Sequence, residues 1–245
     1  MSKGVQASAA RAPTWHFLQE ARCRAPVHMQ VAVDMTRALA SCRAEQVGVN
    51  ALLLRTIAGV LARRPAVNAD VFGLARPRKR CYESVHAKLV LDKRLGGTRV
   101  VCSAVIPRAD RLSLDEIQQH IDFHKQADAD RSPAFASMRL LARLPHRLGG
   151  FAYRRAIASV RGRHRINGSF TLSALGAHAL GAFHPVGGNA MTFGVGRIAQ
   201  AAVVRNGRPA AAPVLNLCLS FDHRVVDGAE AAECLDEIRR LLEAG

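Results

Sequence analysis

The stretch from Leu215 to Ile238, LNLCLSFDHRVVDGAEAAECLDEI, restricts the fold more than any other part of the chain. Large apolar residues alternate with smaller or polar ones as far as Phe221, which is the period of a strand with one buried face. After Asp227 and Gly228 the period becomes that of an amphipathic helix. A strand therefore runs directly into a helix, and the turn Asp-His-Arg-Val-Val-Asp-Gly is held between two packed elements.

The rest of the pattern predicts a mixed α/β protein with an antiparallel or mixed sheet flanked by helices. Strands are predicted where residues alternate or β-branched residues dominate, in VHMQVAVDM, TRVVCSAVIP, SFTLSAL and the run 191–221. Within that last run, Asn206-Gly207 is typical of a tight hairpin turn.

Helices are predicted from apolar spacing and from end signals. The segment WHFLQEARC reads as a short helix, and VGVNALLLRTIAGVLARRP reads as a longer one that Pro65 ends. Ser113 and Glu116 form a capping-box pattern. The final helix begins near Gly228. We expect it to carry Glu230 and Glu233 in its first turns and Arg239 and Arg240 in its last, which suits the helix dipole.

The composition is that of a folded protein, with 49% apolar and 22% charged residues among 245. Its formal net charge of +16 favours an anionic partner. Only 12 residues are aromatic, and no RNA-binding signature is present, so we expect no nucleic-acid partner. The six cysteines form no C-x-x-C pair, which indicates reduced thiols and no metal site. No apolar run resembles a signal peptide or a membrane span, so we expect a soluble, cytoplasmic protein.

Residues 131–165, RSPAFASMRLLARLPHRLGGFAYRRAIASVRGRHR, interleave arginines with apolar residues. Pro145 and Gly149-Gly150 are expected to break any long helix there. Three interpretations remain open: a surface helical insertion with solvated arginines, a docking surface for an anion or a carrier protein, and a helix lying on a membrane surface.

The polar turn is the candidate site. His223 follows a strand whose register is fixed, and histidine is the commonest general base, while Asp227 lies four residues further on. The alternative is an ion-pair cluster of Asp222, Arg224 and Asp227 that closes the turn beside a bystander His223. The sequence GVGR, from Gly194, lacks the third glycine of a dinucleotide site and is discounted.

The stretch LSFDHRVVDGAEAAECLDEIRRLLE resembles the C-terminal signature of the dihydrolipoamide acyltransferases, the acyltransferase catalytic domains of 2-oxoacid dehydrogenase complexes. Five further stretches agree in order: APVHMQVAVDMT, LARRPAVNADVF, VIPRADRLSLDEI, GSFTLSALG and FGVGRI. The resemblance implies an arm with a short helix over 1–25 and a catalytic domain over 26–245. It is weakest over 128–165, so that 131–165 is interpreted as a basic, divergent insertion.

This resemblance implies the chloramphenicol acetyltransferase-like fold, with a homotrimer whose active sites lie between subunits. His223 would be the base that deprotonates a thiol of CoA or dihydrolipoamide, and Ser173 would donate a hydroxyl to the oxyanion from the neighbouring subunit. Asp227 would hold the His223 loop in shape. Asp222 and Arg224 would be structural, and an arginine near the start, among Arg11, Arg22 and Arg24, would pair with the motif aspartate.

Two features of the sequence differ from the family pattern and change the expected function. No lipoyl-lysine motif is present, and we expect no covalent lipoyl group. We therefore expect a stand-alone acyltransferase that uses acyl-CoA as substrate, and a lipoyl domain of another protein or an acidic carrier as partner. The apolar tail that joins trimers into a cage has no counterpart after RRLLEAG, which favours a trimer. The alternative is a non-catalytic trimeric module that binds CoA or an acyl carrier or that assembles a complex. CoA-binding residues are not predicted.

Overall fold

A computed structural model describes residues 9–73, 76–205 and 207–245. The helices are α1 Ala12–Ala21, α2 Thr36–Ala44, α3 Val49–Ala62, α4 Leu114–Gln126, α5 Ala136–Arg143, α6 His146–Ile157, α7 Val160–Asn167 and α8 Gly228–Ala244. The strands are β1 Pro26–Asp34, β2 Ala69–Phe72, β3 Arg78–Cys81, β4 Ala87–Leu95, β5 Thr98–Ile106, β6 Phe170–Ala174, β7 Met191–Val195, β8 Ala199–Arg205 and β9 Arg208–Asp222. Short 3₁₀ turns lie at Ala9–Arg11 and Pro133–Phe135.

One seven-stranded mixed sheet organises the molecule, in the order β1-β9-β7-β6-β4-β5, with β8 paired to β9. Strand β6 runs parallel to β4 and β7, and the other neighbours are antiparallel. Strands β2 and β3 form a separate small ribbon. The predicted mixed sheet flanked by helices is confirmed.

One face of the sheet forms the apolar core. Leu89, Leu172, Phe193 and Leu219 lie level with one another on four adjacent strands, and all four are buried. Helix α8 packs against β1, and α3 packs against α4 and α8. Because each buried side chain of this size contributes about 1.5–3 kcal/mol, this face stabilises the register of the strands.

The opposite face is polar but largely covered. A single register row carries Lys88, Thr171, Thr192, Ser220 and His28. The connection between β6 and β7 crosses this row so closely that a Cβ on Gly187 would lie 1.6 Å from Thr192 Oγ1. Glycine is therefore required there, and four of the five polar side chains are buried.

The predicted helix ends are partly right. The capping box forms, since Glu116 N–H donates to Ser113 Oγ and Ser113 N–H donates to Glu116 Oε2. The final helix, however, continues to Ala244, so Arg239 and Arg240 lie before its last turn. They pair instead with acidic side chains of the same helix.

The predicted hairpin turn falls partly on Asn206, which lies outside the described residues. Arg205 and Arg208 pair on either side of it, and Gly207 has a φ of +74°. Strands β2, β3 and β4 and helix α2 were not predicted. Charged residues dilute the period of β3 and β4, and α2 is short and weakly apolar.

Residues 131–165 are helical, as predicted, but with a different break. Pro145 caps the start of α6, whereas the break predicted at Gly149-Gly150 does not occur. Both glycines lie inside α6 and pack against the buried ring of His16 from α1. A Cβ on Gly149 would lie 2.8 Å from His16 Nε2, so the glycines allow two helices to approach closely. None of the helices in the described ranges is long and apolar enough to cross a membrane.

Candidate active site at the end of strand β9

His223 stands immediately beyond the long strand β9. The strand is held between β1 and β7 up to its last residues, where Phe221 pairs with Val27 and with Met191. The His223 N–H then donates to Ala25 O at 2.9 Å. The backbone is therefore fixed on both sides, while the imidazole side chain remains 48% exposed. A rigid support and an accessible ring are what a general base needs.

Asp222 is buried beneath this histidine and holds the turn together. Its carboxylate accepts hydrogen bonds from Arg224 Nη2 at 2.7 Å and from the backbone N–H groups of Arg224 and Ala25 at 3.2 and 3.3 Å. Burial alone would raise the pKa of Asp222, but the hydrogen bonds from Arg224 and the charge of Arg24 outweigh it and hold the pKa at about 2. The carboxylate is thus charged and fully occupied in the turn.

Arg24 is the early arginine that pairs with the motif aspartate, with Nη1 3.1 Å from Asp222 Oδ2. The same guanidinium binds both oxygens of the buried Asp70, at 2.6 and 3.0 Å, and donates to Gly188 O at 2.7 Å. Asp70 in turn lies 3.5 Å from Arg163 Nη1 of α7. Asp70 was not singled out from the sequence, because a lone aspartate in a four-residue strand carries no periodic signal.

Asp227 occupies a different position from the one expected. Its side chain is 89% exposed, and it makes no capping hydrogen bond at the start of α8. The contacts that hold the turn come from Asp222, so neither the loop-holding role of Asp227 nor its place in an ion-pair cluster is seen. Asp227 Oδ1 instead faces His223 Nδ1 at 3.8 Å. This separation is longer than a hydrogen bond, so the contact between the two side chains is electrostatic.

Ser173 lies on β6, next to Gly194, and is buried. Its hydroxyl makes no hydrogen bond to any residue in the described ranges. Through β7, Ser173 is level with Cys218, five residues before His223. Two strands across and five residues along correspond to roughly 19 Å. One chain therefore does not bring Ser173 and His223 together.

An open groove of about 530 Å³ lies beyond the Ser173 end of the sheet. It is lined by Ala179, Leu180, Gly181, Arg197, Ile198, Ala199 and Gln200. Arg197 is the cationic group that could bind a phosphate there. Among residues 9–73, 76–205 and 207–245, no three His, Cys, Asp or Glu side chains gather as a metal ion requires.

The C-terminal part of the chain resembles known proteins in sequence. Residues 158–245, which contain Ser173, His223 and Asp227, match the family model of the 2-oxoacid dehydrogenases acyltransferase (catalytic domain). A stretch of 50 residues is 60% identical to the dihydrolipoyllysine-residue acetyltransferase component of the pyruvate dehydrogenase complex of Bacillus subtilis. That stretch spans 20% of this chain and 11% of the Bacillus protein.

Solved structures resemble the whole chain. Dihydrolipoamide acetyltransferase of Azotobacter vinelandii has a TM-score of 0.72 at 20% identity, over 99% of this chain and 92% of that one. A chloramphenicol acetyltransferase has a TM-score of 0.54 at 12% identity, over 99% and 100% of the two chains. The fold is therefore that of the chloramphenicol acetyltransferase-like proteins. The predicted resemblance to the acyltransferase catalytic domain is confirmed, by sequence over the C-terminal third and by fold over the chain.

Proposed function

We propose that this protein transfers an acyl group between coenzyme A and a thiol acceptor, with His223 as the general base. The observation that carries the proposal is the geometry of His223: an exposed imidazole beyond a strand locked in register, with Asp227 3.8 Å from Nδ1. The family match over residues 158–245 supports the reaction class.

The chemistry follows from the thiol. A free thiol has a pKa of about 8.5, so most of it is protonated at neutral pH. His223 Nε2 removes the S–H proton as the sulfur forms a bond to the thioester carbonyl carbon. The tetrahedral intermediate then collapses, the original C–S bond breaks, and the His223 imidazolium returns its proton to the departing thiolate. Atoms and charge balance without a metal or a redox cofactor.

The intermediate carries a negative oxygen, and Ser173 is proposed to donate a hydrogen bond to it. Because Ser173 and His223 of one chain are about 19 Å apart, the donor must come from a second subunit, as in a homotrimer with shared sites. In the Azotobacter enzyme a serine, a histidine and an asparagine have been investigated for their catalytic role. The serine precedes that histidine by 52 positions and the asparagine follows it by four, against 50 and four for Ser173 and Asp227 here.

The acyl donor proposed is acyl-CoA, with its phosphates near Arg197 in the groove at the Ser173 end. The acceptor proposed is a thiol on a lipoyl domain of another protein or on an acidic carrier, approaching His223 from the opposite end. The net charge of +16 supports both anionic substrates.

Mass spectrometry of the protein mixed with an acyl-CoA panel and free dihydrolipoamide tests the reaction. We expect His223→Ala to lower acyl transfer about 10²–10⁴-fold, the usual contribution of a general base, with CoA binding retained. Asp227→Asn keeps the size of the side chain and should cost about tenfold or less, because it loses only an electrostatic contact with an exposed group.

A parent protein that turns over none of these thioesters would favour the non-catalytic module that binds CoA or a carrier. Full activity in His223→Ala, with a substrate pair that the parent converts, would remove His223 from the mechanism.

A further inference from the structure

Residues 131–165 are unusually one-sided in charge. They contain no aspartate, glutamate or lysine. Their nine arginines are Arg131, Arg139, Arg143, Arg147, Arg154, Arg155, Arg161, Arg163 and Arg165. A face that is merely solvated usually mixes charges of both signs. This segment therefore concentrates one kind of cation beyond what solubility requires.

Two of the nine arginines are used inside the fold. Arg139 donates to the carbonyl oxygens of Ala129 and Ser132. Arg163 donates to the carbonyl oxygens of Ile157 and Val71 and lies over the Phe72 ring. The other seven are exposed, and their guanidinium groups bind no residue in the part of the chain that the structure describes.

Helix α6 presents a mixed apolar and cationic face outward. Its inner side, with Gly149, Gly150, Tyr153 and Ile157, is buried in the protein. Its outer side carries Arg147, Leu148, Phe151, Arg154 and Arg155, which we call the arginine face. Leu148 and Phe151 are 58% and 64% exposed, and Phe151 lies one helical turn before Arg155.

Helix α6, which carries the arginine face, packs against α7, and α7 leads into strand β6 at the end of the sheet where His223 lies. Strand β6 begins after α7, and its first residue, Phe170, is level with Phe221 through β7. Helix α7 also connects to the catalytic turn by side chains, because Arg163 lies near Asp70, and Arg24 joins Asp70 to Asp222. We infer that a macromolecule bound to α6 approaches the molecule from the end of the sheet that holds His223.

We propose that the arginine face of α6 docks an acidic protein domain. Exposed aromatic and aliphatic side chains surrounded by arginines are typical of the centre of protein interfaces, where arginine is enriched and lysine depleted. The planar guanidinium also matches carboxylates with two hydrogen bonds. Docking does not depend on acyl transfer; that the docked domain carries the acceptor thiol rests on the proposed function.

A membrane surface fits the same residues less well. Helices that lie on membranes separate an apolar side, which inserts, from a charged side. In α6 the side opposite the arginines is buried against α1, and the two exposed apolar residues lie among the cations. Only a shallow apolar surface is therefore available for insertion.

Binding of two purified acidic carriers, a lipoyl domain and an acyl carrier protein, tests the proposal by surface plasmon resonance at 25–300 mM salt. We expect at least one carrier to bind the parent with a Kd that rises steeply with salt. Arg154→Ser/Arg155→Ser and Leu148→Ser/Phe151→Ser should each weaken it about tenfold or more, the first with a flatter salt dependence.

Matched controls remove the same groups elsewhere. Arg37→Ser/Arg43→Ser deletes two exposed arginines of helix α2, and Phe123→Ser deletes a phenylalanine of α4 that is 58% exposed. Each should change the Kd less than about twofold. His223→Ala should bind the carrier like the parent, and Arg154→Ser/Arg155→Ser should transfer acyl groups to free dihydrolipoamide like the parent. Failure of docking and failure of catalysis are therefore distinguishable.

Three outcomes would overturn the proposal: no carrier binding to the parent below 1 mM (on the order of −4 kcal/mol), equal weakening in the α2 control, or unchanged binding in both α6 variants. Vesicles with 30% phosphatidylglycerol (about one anionic lipid in three) and a short RNA duplex serve as competing probes. Binding of either that is stronger than carrier binding and lost in the α6 variants would assign the face to a membrane or to nucleic acid instead.

Discussion

At the scale of single residues, the least expected group is Lys88, a buried cation on the polar face of the sheet. Its Nζ donates to Asn167 Oδ1 at 3.2 Å and lies 4.9 Å from the centre of the Phe17 ring. No carboxylate in the described ranges forms an ion pair with it, and burial lowers its pKa from 10.5 to about 8. Folding therefore favours the neutral amine, and the charged form costs stability near neutral pH.

The sign of this linkage gives a prediction. Between about pH 8 and pH 10.5 the unfolded chain holds more protons at Lys88 than the folded one, so the free energy of unfolding rises with pH across this window. Lys88→Met lacks the contribution. We expect the free energy of unfolding of Lys88→Met, relative to that of the parent, to fall by about 3 kcal/mol between pH 7.5 and pH 10.5. Urea unfolding at fixed protein concentration measures it. A pH-independent difference would contradict this account of Lys88.

At the scale of secondary-structure elements, the contact of α1 with α6 depends on two glycines. His16 is buried between the helices, and its ring lies against Gly149 and Gly150. The same contact joins the N-terminal helix to the basic segment that carries the arginine face. A side chain at Gly149 would therefore push the two helices apart rather than fill an empty space.

Gly149→Ala should destabilise the protein by about 1–3 kcal/mol, because overpacking against His16 exceeds the gain in helix propensity. Gly59→Ala is the matched control inside α3, where the new Cβ would meet only the ends of the Arg55 and Arg63 side chains. It should be neutral or stabilising by up to about 1 kcal/mol. Equal unfolding midpoints for the two variants would show that the α1–α6 contact is looser than its geometry implies.

At the scale of the whole molecule, the separation of Ser173 from His223 within one chain predicts that the active site forms between subunits of an oligomer. Sedimentation at micromolar concentration should give a homotrimer.

Ser173→Ala should lower acyl transfer about 10²–10³-fold by removing the oxyanion donor. When His223→Ala and Ser173→Ala subunits exchange in equal amounts, about a quarter of the sites combine an intact histidine with an intact serine from a neighbour. Activity should recover to that level, and a monomer, or no recovery after proven exchange, would contradict the shared site.

Local sequence determined the type and position of the elements in which apolar residues repeat regularly. Strand β9 and helix α8, helix α3 and the Ser113–Glu116 capping box all follow from interactions within a few residues, as does the placement of His223 on a rigid strand end. The family resemblance added Ser173, through the stretch GSFTLSALG, and the expectation of an arginine paired to Asp222.

Tertiary structure alone decided which distant groups meet. Arg24 and Asp222 are 198 residues apart, and no local pattern distinguishes Arg24 from Arg22 or brings in Asp70. Gly149 and Gly150 predict a helix break by propensity, but both lie in a continuous helix, where the ring of His16 leaves no room for a Cβ at Gly149 and little at Gly150. The separation of Ser173 from His223 depends on strand register. The periodicity of apolar residues shows only which face of a helix or strand is buried. Which strands pair, and in which register, depends on contacts with residues that are distant in the sequence.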